Sequence, residues 1–180
     1  NKDLTESGIP CIHYGEVYTH YGLSATETKS FVRPELAPTL RMAKTGDLVI
    51  AGTGENVEDI GKAVAWLGAD DVAVHDDCYI FRHSLNPKYA AYFFQSSQFN
   101  EQKVKYAAGA KMIRIQSEGL QKIRIPVPSP KEQARIVAIL DKFDALTNDL
   151  SEGLPAEITA RHKQYEHYRN RLLSFEEVPS

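Results

Sequence analysis

The chain has 180 residues, of which 42% are hydrophobic and 25% charged, and it carries a formal net charge of −3. This is an ordinary globular composition with enough apolar side chains for a sizeable core, read as one domain or one domain plus an appendage. It argues against a blanket nucleic-acid binder. No apolar run is long enough for a membrane span, no segment reads as a signal peptide, and two cysteines, Cys11 and Cys78, make no disulfide framework.

A reducing, cytoplasmic setting is the expectation from the cysteines. The chain opens on Asn1 and a polar stretch, NKDLTESG, so a longer parent chain is expected. Its charge is unevenly spread. Glu58, Asp59, Asp70, Asp71, Asp76 and Asp77 stand against Lys62 in one region. Lys103, Lys105, Lys111, Arg114, Lys122 and Arg124 stand against Glu118 in another. A locally basic region on a mildly acidic protein can be an electrostatic footprint for nucleic acid.

In chain order, the first third is loop-rich and aromatic. Two short β-like pieces, Cys11–Tyr14 and Glu16–Thr19, flank Gly15. Val49 and Ile50 mark a strand, Gly52 and Gly54 a tight hairpin-like turn, and Gly61–Trp66 a further strand. Val72–Val74 and Tyr79–Phe81 read as two more. The period then changes. Asn86-Pro87 is a helix start, with Asn as cap and Pro at the first helical position. One broken helix or two follow, with Tyr89, Tyr92, Phe93 and Phe99 inward and Gly109 as the stop. MIRI is a short strand, SEGLQ a turn or short helix, and KIRIPV a last strand.

Pro126, Pro128 and Pro130 then alternate, holding the backbone extended. Ser129, Pro130 and Glu132 form a helix start with a capping box. Ile136, Ile139, Phe143, Leu146 and Leu150 follow at steps of three and four, a heptad-like stripe. Gly153 and Pro155 interrupt it. A second helix carries Leu154, Ile158, Arg161, Tyr165, Tyr168, Leu172 and Phe175, spanning roughly 33 Å. The 3.5-residue step suits helix on helix, and the Gly-Leu-Pro reversal suits a two-helix hairpin. These features favour an arm with an exposed seam over a pair of core helices.

Several motifs invite chemistry. His75 and Asp77 alternate on one side of an extended chain and can reach one metal ion, but no other histidine has metal-site spacing. Cys78 with His75 or His83 is a nucleophile pair on paper, yet Tyr79-Ile80-Phe81 marks it as a buried strand residue. GTGENVEDIGK lacks the Ser or Thr after Gly-Lys that a phosphate loop needs, since Ala63 stands there. AAGAKMIRI is different. Lys111 and Arg114 bracket Met112 and Ile113 and, with Lys103 and Lys105, form a basic patch. Tyr14, Tyr18, His20 and Tyr21 add groups that stack or donate hydrogen bonds.

Several segments run in an order that resembles one family: HYGEVYTHYG, GDLVIAGTGENVEDIGKAVAW, DDVAVHDDCYIFRH, NPKYAAYFFQS, GAKMIRIQSEGLQKIRIPVPSPKEQARIVAILDKFDAL and the Lys-Gln-Tyr helix near 163–175. The chain resembles half of a type I restriction-modification specificity subunit, and KIRIPVPSPKEQARIVAILDKFDAL is the most specific part. The resemblance implies an α+β fold: a mixed, largely antiparallel β target recognition domain with short helices over residues 1–128. A two-helix hairpin or coiled-coil arm over residues 129–176 then acts as spacer. It implies a non-catalytic subunit reading one half of a split double-stranded DNA target, where half-sites about one turn apart lie about 34 Å apart. It also implies partners: methylation subunits, restriction or translocase subunits, and a second half or second copy. S-adenosylmethionine, ATP and Mg are expected on those partners. The resemblance implies a first strand and helix ahead of Asn1, so a fragment or a half-subunit that dimerises is expected. The DNA-contact candidates are Lys103, Lys105, Lys111 and Arg114, then Tyr18, Tyr21, Thr53 and Gly54. The helical interface candidates are Ile136, Phe143, Ile158, Tyr165 and Leu172. The rival readings are a metal-dependent enzyme built on His75 and Asp77, and a helical assembly module without DNA contact.

Overall fold

The computed structural model describes residues 4–109, 112–148 and 155–174, with the backbone alone for residues 146–148 and 155–156. Lys111, Leu150, Gly153, Leu154 and Phe175, and the side chain of Leu146, therefore lie outside the described residues. The amino-terminal part runs β1 (Leu4–Thr5), β2 (Ile9–Ile12), α1 (Tyr14–Thr19), β3 (Ser24–Ala25), β4 (Ser30–Val32) and, after a 3-10 segment at Pro34–Thr39, β5 (Arg41–Ala43). The middle runs β6 (Leu48–Ala51), β7 (Thr53–Gly54), β8 (Ala63–Trp66), β9 (Val72–Val74) and β10 (Cys78–Phe81). Then come α2 (Pro87–Phe93), α3 (Ser97–Lys103), β11 (Ala107–Ala108), β12 (Ile113–Ile115), α4 (Ser117–Leu120), α5 (Pro130–Asn148) and α6 (Pro155–Leu173).

The strands form three sheets, in the orders β1-β4-β2-β9-β5, β10-β6-β8-β3 and β11-β12-β7. Pairing is antiparallel except for β2 with β9 and β3 with β8. The fold is thus α+β with largely antiparallel sheets. Every residue of β6 and β8 is buried. Their unbroken apolar runs follow from a sheet covered on both faces. Val49, Ala51, Val64 and Trp66 meet the five-stranded sheet and α1, while Leu48, Ile50, Ala63 and Ala65 meet Ala90 and Ala91 of α2. The Gly52-Thr53-Gly54 segment is not a turn. After Gly52 the chain passes from β10 to β12 as partner, because Gly52 donates to Asp77 and accepts from Ile115. A Cβ on Gly52 would come within 2.5 Å of the Tyr79 ring, so the crossing needs glycine.

Tyr14–Thr19 is a helix rather than a strand. His13 caps it, its Nδ1 accepting from the Gly15 amide, and the Glu16 carboxylate returns a bond to the His13 amide. This reciprocal arrangement satisfies two amide donors that an alternating reading does not foresee. KIRIPV forms no ladder either. Side chains stand in for one: Gln102 bonds both the amide and the carbonyl of Arg124, and the Tyr89 hydroxyl donates to the Pro126 carbonyl at 3.1 Å.

At the joint, Ser129 Oγ accepts from the Glu132 amide as expected, but the Glu132 carboxylate takes a two-pronged bond from Arg135. Gln133 is the buried link. Its Oε1 accepts from the Asn86 amide at 2.8 Å and its Nε2 donates to the Pro128 carbonyl at 2.8 Å. α5 lies on the far side of α2 from the sheet, with Ile136, Val137 and Leu140 against Tyr89 and Tyr92. Asp141 accepts from the Tyr92 hydroxyl and pairs with Lys88, both on α2, at 2.8 Å each. α6 packs on α5, stacking Tyr168 on Phe143, and its Asn170 accepts from the Ser97 amide at the start of α3. The helices are thus neither spread over a sheet nor projecting freely. They form a further layer seated on α2.

Replacing Gln133 with Leu leaves the Asn86 amide and the Pro128 carbonyl without their partner in a nearly closed site. The expected loss is about 2–3 kcal/mol of unfolding free energy, read as a lower midpoint in urea with an unchanged slope.

Candidate nucleic-acid interface

Parallel pairing of β2 with β9 aligns Ile12 with Val74, so the next residues, His13 and His75, emerge side by side. Their rings lie 4.4 Å apart, with the Tyr14 ring 5.3 Å from His75. Each imidazole spends Nδ1 on a backbone amide, His13 on Gly15 and His75 on Asp77, both at 3.2 Å. An acceptor nitrogen carries no proton, so the network assigns the Nε2–H tautomer to both rings. Arg41 holds the turn behind them, donating to the carbonyls of His75 and Cys78. Arg114 stands at the flank, 3.7 Å from the Asp77 carboxylate and 55% exposed.

Arg114 belongs to the hairpin of β11 and β12, where it faces Ala108 on one side and Thr53 on the other. Gly109 has φ +136, and a Cβ there would strike the Met112 carbonyl oxygen. Glycine is required at this point of the hairpin. Lys105, Val104 and Met112 are exposed around it.

Arg114 and Lys105 therefore sit on the surface, as a DNA contact requires. Lys103 does not. It is 3% exposed, and its ammonium donates to the carbonyls of Glu58 and Ile60 at 2.7 and 2.8 Å. Burial brings its pKa down to about 8. This lysine ties the acidic loop to α3 and is withdrawn as a DNA contact. Tyr21 is buried, its hydroxyl accepting from the Lys29 amide. Tyr18 donates to the Thr53 carbonyl, and Thr53 and Gly54 are themselves buried. Tyr18, Thr53 and Gly54 are structural supports behind β12, and Tyr21 belongs to the core. Lys111 lies outside the described residues.

Of the helical candidates, Ile136 and Tyr165 are buried within this chain, in the cluster with Tyr89 and Tyr92, and are corrected from partner contacts to anchors. Phe143, Ile158 and Leu172 remain half-buried. Among the described residues, no three His, Cys, Asp or Glu side chains converge as a metal site needs. Burial pushes the Cys11 thiol up to about 11 and the Cys78 thiol up to about 12, which disfavours a thiolate nucleophile. A cavity of ≈ 340 Å³ between β10, α2 and residues 117–125 is lined mainly by apolar side chains such as Ile50, Phe81, Phe93 and Leu120. It offers no titratable pair for acid–base work. No helix among the described residues is long and apolar enough to cross a membrane.

His13 was not legible as a site residue, because only a parallel register between distant strands places it beside His75, and Tyr14, read as one of an aromatic loop's stacking groups, joins them through the same register. The Arg-flanked imidazole cluster and the hairpin lie on an open surface rather than in an enclosed cavity.

The sequence model of the type I restriction modification DNA specificity domain matches residues 43–160, and the chain belongs to this family. A putative type I restriction enzyme specificity subunit of Haemophilus influenzae is 34% identical over 142 residues, covering 73% of this chain and 33% of that protein. The EcoR124I/EcoR124II specificity subunit of Escherichia coli is 57% identical over 67 residues, covering 37% of this chain and 17% of that protein. A crystal structure of the type I restriction-modification S subunit from M. genitalium shares the fold, with a TM-score of 0.50 at 15% identity over 84% of this chain and 36% of that one. The chain thus spans about a third or less of the length of these relatives.

Burial, then the neighbouring His75 imidazole, holds the His13 pKa below its ordinary value, and burial does the same for His83. A lowered folded-state pKa favours the neutral ring. The unfolded chain then binds the proton first, near pH 6.5, so this contribution to stability is complete above that value and is lost as pH falls through the lower folded values. The urea midpoint is expected to drop between pH 7.5 and pH 5, and His13→Asn, which keeps a cap and removes the ring, is expected to narrow the drop.

Proposed function

We propose that this chain binds double-stranded DNA sequence-specifically, reading one half of a bipartite target, and that it does so as a non-catalytic part of a type I restriction-modification complex. Family membership over residues 43–160 supports this reading. The observation that carries it is the exposed hairpin within that span, with Arg114 on its surface beside the imidazole pair and Lys105 exposed just ahead of β11. Lys105 positions the phosphate backbone, and the groups around the imidazole pair, Arg114 among them, meet base edges.

In this reading residues 1–128 recognise the target and residues 129–176 set its spacing and orientation. Phe143 and Leu172 pack partly on the cluster inside this chain, and what they leave uncovered, with the half-buried Ile158, is the proposed contact for a second half or second copy of the subunit. Methylation subunits and restriction or translocase subunits are the other partners, and S-adenosylmethionine, ATP and Mg act on them in the cytoplasm.

The test is selection of bound duplexes from a random pool by the assembled complex. A split motif with one half assigned to this chain is expected, and recovery of unselected sequence would exclude the reading. Within that complex, Lys105→Ala is expected to weaken all duplexes about equally and to reduce the slope of log affinity against log salt by about 0.9, the value for one phosphate contact. An unchanged slope would remove Lys105 from the interface.

A further inference from the structure

Two features of the imidazole cluster go beyond a basic footprint. The first is its fixed chemistry. Both Nδ1 atoms are occupied by backbone amides, so both rings carry their proton on Nε2, on the far side from the amide that each one binds. His13 is locked as the cap of α1, and the Glu16 carboxylate that completes the cap is itself held by the Ser30 hydroxyl. His75 is locked by its own turn, whose carbonyl is clamped by Arg41. Two donors thus stand preorganised, with little rotamer freedom left to lose on binding. Their rings are 4.4 Å apart, close to the ~3.4 Å separation of successive base pairs.

The second feature is the charge. Arg41 lies 3.8 Å from the fully exposed Asp76, and Arg114 lies 3.7 Å from Asp77. Each cation is offset by a carboxylate, so the cluster attracts phosphate weakly. It does present donors and an acceptor together, within one small area where His75 is 32% and Arg114 55% exposed. A mixed donor and acceptor array matches the major-groove edges of bases, where guanine offers N7 and O6 and cytosine an amino group.

We infer that His13, His75 and Arg114, with the Asp76 carboxylate, form a base-reading site for the target DNA and not a phosphate clamp. This inference rests on the DNA-recognition reading above. His13 and His75 donate through Nε2 to acceptors on adjacent base pairs. Arg114 donates from the flank, and Asp76 accepts from an amino group on a neighbouring base. Tyr14 walls one side of the pair.

The experiment uses the assembled complex with the duplex that the wild-type protein selects and a scrambled duplex. His13→Asn and His75→Asn keep an acceptor near Nδ1 and lack the Nε2 donor. Arg114→Gln tests the flank at an exposed position where the fold is least affected. With melting midpoints near wild type, each variant is expected to lose roughly tenfold or more in affinity for the selected duplex. Affinity for the scrambled duplex and the salt slope are expected to stay unchanged, and His75→Gln, whose amide can lie near Nε2, is expected to recover part of the loss. Equal losses on both duplexes with a shallower salt slope would mean phosphate contact and would overturn the inference, as would unchanged affinity for both. If the wild-type complex selects no motif at all, the DNA-reading function falls and this inference with it.

Discussion

The helical layer depends on hydrogen bonds that side chains make to a stretch of backbone with no ladder of its own. Between α4 and α5 the chain has prolines at 126 and 128, which remove donors and hold it extended. Gln102, Tyr89 and Gln133 satisfy the carbonyls at 124, 126 and 128, and each comes from a helix. Gln133 also takes the Asn86 amide at the start of α2. One residue of α5 thus secures both the segment that delivers α5 and the helix on which it lies. A proline joint stiffens the path, but these bonds choose its direction.

The helix α2 is the keystone on both sides. Ala90 and Ala91 let it approach the four-stranded sheet closely, while Tyr89 and Tyr92 carry α5. The small residues and the large aromatics fall on different faces, as the helical period requires. Asp141 reinforces the second contact by accepting from both Tyr92 and Lys88. Burial, then the Asp141 carboxylate, pushes the Tyr92 hydroxyl far above its ordinary pKa, so Tyr92 stays a donor to Asp141. The orientation of the helical pair relative to the sheets is a property of this interface. The imidazole cluster has a similar origin, because the same parallel register that joins β2 to β9 in the five-stranded sheet brings His13 to His75.

Much of this was legible in the sequence. The Asn86 cap with Pro87 behind it, the Ser129 cap before α5 and the unbroken apolar strands at Leu48 and Ala63 follow from local rules that tertiary context did not override. What failed depended on distant partners. Lys103 reads as surface charge, and only the carbonyls of Glu58 and Ile60 make its burial tolerable. The stripe Ile136, Ile139, Phe143 was read as an outward seam, yet the deepest face is Gln133, Ile136, Val137 and Leu140, rotated toward α2. A spacing of three and four does not say which neighbour lies opposite. The helix at Tyr14–Thr19 was missed because histidine is an unusual cap, and its partner Glu16 was taken for part of an alternating strand.

The central claim is mechanical: the α2–α5 seat, pinned by Gln133, fixes the direction of the helical pair relative to the sheets. Spin labels at the exposed positions Glu35 and Lys163, on the two sides of that seat, measure it most directly by pulsed electron resonance. The account predicts one narrow distance distribution in the native chain and a broadened one in Gln133→Leu. A broad distribution in the native chain, or a narrow one that the substitution leaves unchanged, would contradict it.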